Sequence, residues 1–478
     1  MNASLAPLDF AAISPLLIIL IAALIVLLIE SFAERFSERW SCVITVAALL
    51  IALYANYASP ASTNPILTSW VRFDALARFF TGFFIVIGLG SAFLAAAFFQ
   101  RFKASHGEYY FLLLSSIFGL ILIGAAADFL TLFIGLETLS ISLYILCGYI
   151  KKWEASHESS MKYFLMGALG AAFLLYGIAL IYGAVGATNF EGLQHAFQNI
   201  ATTQKKVLFF GGITLVTLGL AFKAATVPFH VWAPDVYDGA PTPVTAFMAV
   251  GTKVGAFAAL IRVFMVALPH FDATWNQGIA LLAYPTLIYA NLVALRQTQL
   301  RRFFAYSGIS HAGFMLIPLA ANSSNDALQA LLFYLVVYAV ATLGSFAVLA
   351  FLDQRSQGVM MRDLYGLFKR SPLHAAILSL CLLTLAGIPP TVGFFAKFFV
   401  FKVAFEAGYY GLVIVGLLTA ILSAYYYMRI IAVMLSEAPA ENNHLERLWP
   451  AAAVGALAFA VILLLSITPG PFLSLLAI

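Results

Sequence analysis

Four ionisable residues lie deep within long apolar segments of the sequence. Glu137 lies nine residues and Lys253 eleven residues into its apolar run, about 14 and 16 Å along a helix. Both positions are close to the middle of a hydrocarbon core that is about 30 Å thick. Lys223 and Lys397 lie near prolines in two further apolar runs. Because a charge at mid-bilayer costs about 2.5 to 3.5 kcal/mol on insertion scales, we expect four such groups in one chain to be functional.

The alternative interpretation of these four residues is a structural ion pair that fixes helix packing. Two histidines are weaker candidates for a proton relay. His311, in YSGISHAGF, lies near the middle of its run and could titrate at physiological pH, although a hydrogen-bonded packing role fits equally well. His230, in VPFHVWAPD, is expected at the mouth of an interruption, with a mainly structural role. Arg262 lies nearer a helix end, where its charge is expected to reach the membrane surface.

The composition requires a membrane setting for these residues. Of 478 residues, 63% are hydrophobic and 10% are charged, whereas a soluble chain has about 25% charged residues. Lys and Arg are dispersed along the chain, which argues against a nucleic-acid partner. The sequence contains no metal-ligand spacing, nucleophile elbow, phosphate loop or dinucleotide fingerprint. We therefore expect no metal, cofactor, covalent or redox chemistry in this chain.

Apolar runs predict an all-α polytopic membrane protein with about fourteen transmembrane helices, since each crossing needs about 20 apolar residues. The seventh and twelfth runs are interrupted, by TLGLAFKAATVPFH and TLAGIPPTVGFFAK. The predicted helices are 12–30, 41–57, 75–100, 108–126, 128–150, 160–184, 207–233, 242–268, 276–296, 302–321, 326–352, 373–405, 409–435 and 449–468.

The two interrupted helices are five crossings apart, and a repeat of five crossings places its second copy upside down in the membrane. Corresponding broken helices in two halves are typical of ion sites in inverted-repeat transporters. The expected organisation is an N-terminal three-helix segment (1–107), a first repeat of helices 4 to 8 (108–268), a second repeat of helices 9 to 13 (276–435), and a C-terminal helix 14 (436–478).

Basic residues are distributed unevenly among the predicted connections, and short loops rich in Lys and Arg stay in the cytoplasm. The imbalance predicts that both chain ends face the periplasm. The odd-numbered connections hold Arg35, Arg39, Arg101, Lys103, Lys151, Lys152, Lys162, Arg296, Arg301, Arg302, Arg355, Arg362, Lys369, Arg370 and Arg447, whereas the even-numbered ones hold Arg72, Lys205 and Lys206.

Several segments resemble a known family. AFKAATVPFHVWAPDVYDGAPTPVTAFMAVGTKVGAF, GLETLSISLYIL, MKYFLMGALGAAFLLYGIALIYG, YSGISHAGF and LAGIPPTVGFFAKFFVF are similar to the antiporter-like subunits of proton-pumping NADH:quinone oxidoreductase, respiratory complex I. The resemblance covers essentially the whole chain. The subunit N branch of that family is favoured by PDVYDGAPTPVTAF, by Lys397 in place of a glutamate, and by the chain ending soon after helix 14.

This resemblance implies two inverted five-helix repeats and a proton-translocation axis of Glu137, Lys223, Lys253 and Lys397. It also implies a hetero-oligomer in the bacterial inner membrane, in contact with lipid, with another antiporter-like subunit and with small membrane subunits. NADH, FMN, iron–sulfur clusters and quinone would then belong to partner subunits. Two alternatives stay open: a subunit of a stand-alone sodium/proton antiporter complex, and a membrane scaffold whose buried charges are only structural.

Overall fold

The computed structural model describes residues 9–32, 34–60, 64–102, 107–197, 202–268, 272–322, 325–353, 358–437 and 449–477. Within these residues, thirteen helices are long and apolar enough to cross a membrane. Numbered as in the sequence prediction, they are helix 1 (Ser14–Phe32), 2 (Glu34–Ala58), 3 (Ala75–Phe102), 4 (Gly107–Ala125), 5 (Phe129–Cys147), 6 (Glu154–Val185), 7 (Thr203–Ala224), 8 (Thr242–Ala267), 9 (Asp272–Ala294), 10 (Leu300–Ala320), 11 (Asn325–Leu352), 13 (Tyr410–Leu435) and 14 (Trp449–Ile467).

The twelfth predicted run forms two shorter helices, 12a (Pro372–Ala386) and 12b (Val392–Glu406). Helix 7 likewise continues after its break as a short helix, 7b (Trp232–Gly239). The predicted all-helical fold is therefore confirmed, and the interruptions are complete breaks in the helices.

Some predicted helix ends and loop positions differ from the structure. Helix 6 begins at Glu154, so Lys162 lies within the helix and not in the connection before it. Arg301 and Arg302 belong to the first turn of helix 10. Of the basic residues used to predict the orientation, Lys103, Arg355 and Arg447 lie outside the described residues.

Backbone geometry ends both broken helices. Gly387 caps the C-terminus of helix 12a, and its φ of 76° lies in the left-handed region that glycine adopts without steric cost. Pro389 and Pro390 follow, and neither has an N–H to continue the helix. Ala225, with φ of 57°, caps the C-terminus of helix 7. The indole N–H of Trp232 also donates to the Phe222 carbonyl at 3.0 Å, which ties helix 7b to the last turn of helix 7.

The most buried helices include those that carry Lys253 and His311. Helices 8 and 10 are completely buried within their apolar segments, and helix 11 is nearly so. Helices 1, 2, 13 and 14 are the most exposed and present large apolar side chains outward, as a lipid-facing surface requires. A helix that is apolar on all sides packs in the interior, so helices 8, 10 and 11 form the centre of the bundle.

Arg262 is buried and paired within the protein, whereas the sequence predicted that its charge reaches the membrane surface. Its residue surface is 1% exposed, and its guanidinium forms two 2.7 Å bonds to the Asp74 carboxylate at the start of helix 3. Its Nε also donates to the Gly124 carbonyl at 2.8 Å. This bidentate pair joins helices 3, 4 and 8, so a carboxylate distant in sequence satisfies the arginine within the protein.

Paired glycines allow helices 6 and 7 to approach closely. A Cβ built on Gly177 would lie 2.6 Å from the Gly212 carbonyl oxygen, and a Cβ built on Gly212 would lie 2.7 Å from the Gly177 carbonyl oxygen. Both distances are too short for a real side chain. Small residues at such crossings are the usual means of close helix packing in membranes.

Gly212→Ala is therefore expected to push helix 7 away from helix 6 and to destabilise the protein by about 1 to 3 kcal/mol, the usual cost of overpacking. Gly211→Ala is the matched control, because a Cβ at Gly211 meets no atom within 4 Å. Thermal unfolding of the purified protein measures both effects. Equal melting temperatures for the two variants would contradict the proposed role of the close approach.

Candidate functional site

Glu137 and Lys223 form an ion pair between helices 5 and 7. Lys223 Nζ lies 3.4 Å from Glu137 Oε1 and donates to Ser140 Oγ at 2.6 Å. Ser140 and Glu137 are three residues apart on helix 5, so they present adjacent acceptors to the lysine. The Lys223 side chain is 6% exposed and that of Glu137 is 21% exposed. The sequence predicted both groups, and the structure brings them together.

Lys253 lies in the buried centre of helix 8, directly after a π-helical turn at Met248–Thr252. Single π-turns within α-helices are rare and are frequent at functional sites. Gly308 of helix 10 leaves room for the lysine, because a Cβ there would lie 3.3 Å from Lys253 Nζ. The Tyr338 hydroxyl lies nearby and donates to the Ala249 carbonyl at 2.9 Å, one turn before the lysine. The ammonium thus lies between helices 8, 10 and 11.

His311 occupies the centre of helix 10 between two tyrosine hydroxyls. Its Nδ1 lies 2.8 Å from the Tyr334 hydroxyl and its Nε2 lies 3.1 Å from the Tyr427 hydroxyl. The imidazole ring also lies against Tyr338, with ring centroids 5.1 Å apart. Both nitrogens are therefore hydrogen-bonded in a fully internal position, where an imidazole can accept and pass a proton.

Lys397 of helix 12b reaches back to the break that precedes its helix. Its Nζ donates to the Ala386 carbonyl, the last of helix 12a, at 2.7 Å and to Ser423 Oγ at 3.3 Å. The ammonium also lies 4.8 Å from the centroid of the Phe314 ring. A Cβ at Gly387 would lie 2.7 Å from Lys397 Cδ, so the glycine also leaves space for the lysine. The break thus supplies the main acceptor for this charge.

Helix 10 connects the two central lysines along one of its sides. Gly308, His311 and Phe314 are spaced three residues apart and span about 9 Å of helix. Gly308 contacts Lys253, Phe314 contacts Lys397, and His311 lies between them. The arrangement places a titratable group between two buried lysines along one side of helix 10.

His230 stands apart from this group. It lies in the break between helices 7 and 7b, and its ring meets Tyr289 edge-on, with ring centroids 4.7 Å apart. Among the described residues, no hydrogen bond or ring contact joins His230 to His311 or to the four charged residues. Likewise, no direct hydrogen bond among the described residues joins Lys223 to Lys253, although helices 7 and 8 pack against each other. No group of His, Cys, Asp and Glu in the described part of the chain could hold a metal ion.

The sequence did not predict which hydroxyl groups, glycine and aromatic ring lie around the buried charges and His311. These residues lie on helices distant in sequence from the groups they contact, and Tyr, Ser and Phe are unremarkable in apolar segments. The only local signal is the spacing of glycine, histidine and phenylalanine in YSGISHAGF. The residues that were missed are Ser140, Gly308, Phe314, Tyr334, Tyr338, Ser423 and Tyr427.

Comparison with known proteins decides the family. The family model described as NADH:quinone oxidoreductase/Mrp antiporter, transmembrane, matches residues 126–423. The chain is 63% identical over 478 residues to NADH-quinone oxidoreductase subunit N of Protochlamydia amoebophila, covering 100% of this chain and 99% of that protein. The chain belongs to the NADH-quinone oxidoreductase subunit N family. A relative from Sorangium cellulosum, subunit N 1, is 38% identical over 463 residues, covering 92% of this chain and 91% of the relative.

Solved structures agree with this family assignment. A chain of respiratory complex I from Thermus thermophilus with bound aureothin matches with a TM-score of 0.82 and 32% identity, covering 96% of this chain and 98% of that one. A chain of the Mrp complex from Dietzia matches with a TM-score of 0.81 at 20% identity, covering 98% of this chain and 97% of that one, which establishes the shared fold alone. The predicted resemblance to the antiporter-like membrane subunits, and to subunit N among them, is confirmed.

Glu137→Gln is expected to reduce quinone reductase activity while the complex still assembles, because it removes the charge opposite Lys223 and keeps the side-chain shape. Thr138→Ala is the matched control, since Thr138 is adjacent and its hydroxyl bonds only the Ile134 carbonyl of its own helix. Activity and native-gel mobility of the membrane complex measure the two effects. Loss of the assembled complex in Glu137→Gln would favour the structural interpretation of the pair.

Proposed function

We propose that this chain carries protons across the membrane, as part of NADH-quinone oxidoreductase, along Glu137, Lys223, Lys253, His311 and Lys397. NADH, FMN, iron–sulfur clusters and quinone are handled by partner subunits, which supply the energy. The observation that carries the proposal is that His311 lies between Lys253 and Lys397 along one side of helix 10. A scaffold has no need of a titratable group between two buried cations.

The Glu137–Lys223 pair is proposed to act as the switch. A carboxylate 3.4 Å from an ammonium stabilises both charged forms, whereas burial opposes them. Separating the two groups therefore changes the proton affinity of each. A conformational change in a neighbouring subunit that moves helix 5 or helix 7 would act on this distance, and release of Lys223 would alter the field at Lys253.

Protons are proposed to pass from Lys253 to Lys397 through His311 and the tyrosine hydroxyls around it. The hydroxyls of Tyr334 and Tyr427 are placed on the two imidazole nitrogens, so a proton received at one nitrogen can leave from the other. His230 is proposed to support the break in helix 7 and to serve at most as a relay at its mouth, since its observed ring partner is Tyr289.

The chain is a multi-pass membrane protein, and we propose the bacterial inner membrane with both termini on the periplasmic side. The excess of Lys and Arg in the odd-numbered connections and the helix ends beside them supports this orientation. The two breaks, in helices 7 and 12, support division into inverted repeats at 108–268 and 276–435, after an N-terminal segment at 1–107 and before helix 14 at 436–478. The proposed partners are an antiporter-like neighbour and the small membrane subunits.

Lys253→Ala is expected to abolish most NADH-driven proton pumping, because it removes the central proton carrier. Lys402→Ala is the control, since Lys402 is half-exposed and pairs with Asp326 and Glu406, each at 3.8 Å. Protons pumped per NADH oxidised are measured in vesicles that contain the assembled complex. Unchanged pumping at unchanged turnover in Lys253→Ala would refute the proposal and favour a scaffold.

A further inference from the structure

Two hydroxyl groups bind backbone N–H groups that the helix breaks set free. The Val227 N–H, in the break after helix 7, donates to Thr286 Oγ1 of helix 9 at 3.0 Å. The Val392 N–H, the first of helix 12b, donates to Ser466 Oγ of helix 14 at 2.8 Å. A break leaves such N–H groups without a helical carbonyl to bind. Each break is thus tied to the helix two crossings further along the chain.

The two hydroxyls have the same hydrogen-bond geometry. Thr286 Oγ1 donates to the Leu282 carbonyl at 2.6 Å, and Ser466 Oγ donates to the Ile462 carbonyl at 2.7 Å, each four residues earlier in its own helix. The hydroxyl proton is therefore used within the helix, and the oxygen is left to accept from the break. Among the hydrogen bonds between described residues, no other Ser or Thr hydroxyl accepts from a backbone N–H.

Other hydrogen bonds also recur between the two halves of the chain. The connections before helices 5 and 10 form antiparallel bridges to those after helices 6 and 11, at Asp128–Asn189 and Gln299–Met360. The side chains of Asp128 and Gln299 each accept from the N–H two residues further on, at the start of the helix. The hydroxyls on helices 9 and 14 follow the same five-crossing step, so they occupy equivalent places beside the two breaks.

Thr286 holds the segment that follows Lys223. Lys223 lies in the last turn of helix 7, and the N–H of Thr226 folds back onto this turn by donating to the Ala221 carbonyl at 3.0 Å. The Lys223 ammonium, in contrast, is bound by helix 5. Helix 9 therefore fixes the backbone near the lysine while helix 5 receives its side chain. A movement of helix 5 against this fixed end would change the ion-pair distance.

Ser466 holds the segment that precedes Lys397. Val392 begins helix 12b, and Lys397 lies five residues later. Its ammonium reaches back across the break to the Ala386 carbonyl, the last of helix 12a, at 2.7 Å. This bond needs the start of helix 12b to stay close to the end of helix 12a. Helix 14 packs against both parts of helix 12, and Ser466 fixes the first N–H of helix 12b.

We infer that Thr286 and Ser466 are matched positioning residues, Thr286 for Lys223 and Ser466 for Lys397, whose hydroxyls hold the two breaks in the geometry that proton transfer needs. This inference rests on the proposed function of the lysines as proton carriers. Each hydroxyl acts on its lysine through one backbone N–H. Removing one hydroxyl therefore misplaces the lysine of its own break and leaves the other break intact.

The test uses Thr286→Val and Ser466→Ala in the assembled complex, because each substitution removes the acceptor oxygen and adds no atom that must be accommodated. Each variant is expected to lower the protons pumped per NADH oxidised several-fold, and Thr286→Ser, which keeps the hydroxyl, is expected to restore them. Hydrogen–deuterium exchange, read by mass spectrometry, is expected to rise at Val227 in Thr286→Val alone and at Val392 in Ser466→Ala alone.

Thr419→Val and Ser116→Ala are the controls, since these buried hydroxyls bond only carbonyls of their own helices. Both are expected to pump normally and to leave exchange at the two breaks unchanged. Native pumping in Thr286→Val or Ser466→Ala, a loss in Thr286→Ser as large as in Thr286→Val, or faster exchange at both breaks in each variant would overturn the inference.

If one of the two variants does not assemble, the other tests the inference alone. Loss of pumping in Lys253→Ala combined with native pumping in Thr286→Val and Ser466→Ala would reject the role of the two hydroxyls and keep the proposed function. Native pumping in Lys253→Ala would reject the proposed function itself.

Discussion

The structure depends on one constraint: a charge or free backbone group within the apolar bundle is costly unless it finds a partner inside the protein. Lipid offers no hydrogen bonds, so an unsatisfied group there costs several kcal/mol. Lys223 meets this constraint with Glu137 and Ser140, Arg262 with Asp74, and Lys397 with a carbonyl freed by the break in helix 12. The breaks and the charges therefore stabilise each other.

The buried charged side chains differ in how firmly their hydrogen-bond partners hold them. Arg262 has a bidentate bond to Asp74 and a third bond to a carbonyl, which fixes both its charge and its position. Lys223 has a single, longer contact of 3.4 Å to its carboxylate. Lys253 has space beside Gly308 and, among the described residues, no hydrogen-bond acceptor of its own. The lysines of the proposed path are thus held less firmly than the arginine, as the proposed gain and loss of protons requires.

Much of this fold could be predicted from the sequence, because apolar runs of membrane length and proline-rich interruptions are local signals. Glu137, Lys223, Lys253 and Lys397 stood out for the same reason, since charges are rare in such runs. Partner residues could not be predicted, because they come from distant helices: His311 bonds Tyr427, 116 positions further along the chain. Arg262 was misread because only its own helix was considered, while Asp74 lies 188 positions away.

The central claim is that His311 joins the two buried lysines into one proton path. The most direct measurement is the number of protons pumped per NADH oxidised by a complex that carries His311→Phe, which preserves ring volume and removes both nitrogens. The account predicts loss of pumped protons from an assembled complex that still binds its partner subunits. Native stoichiometry at native turnover would contradict it and would reduce His311 to a packing residue.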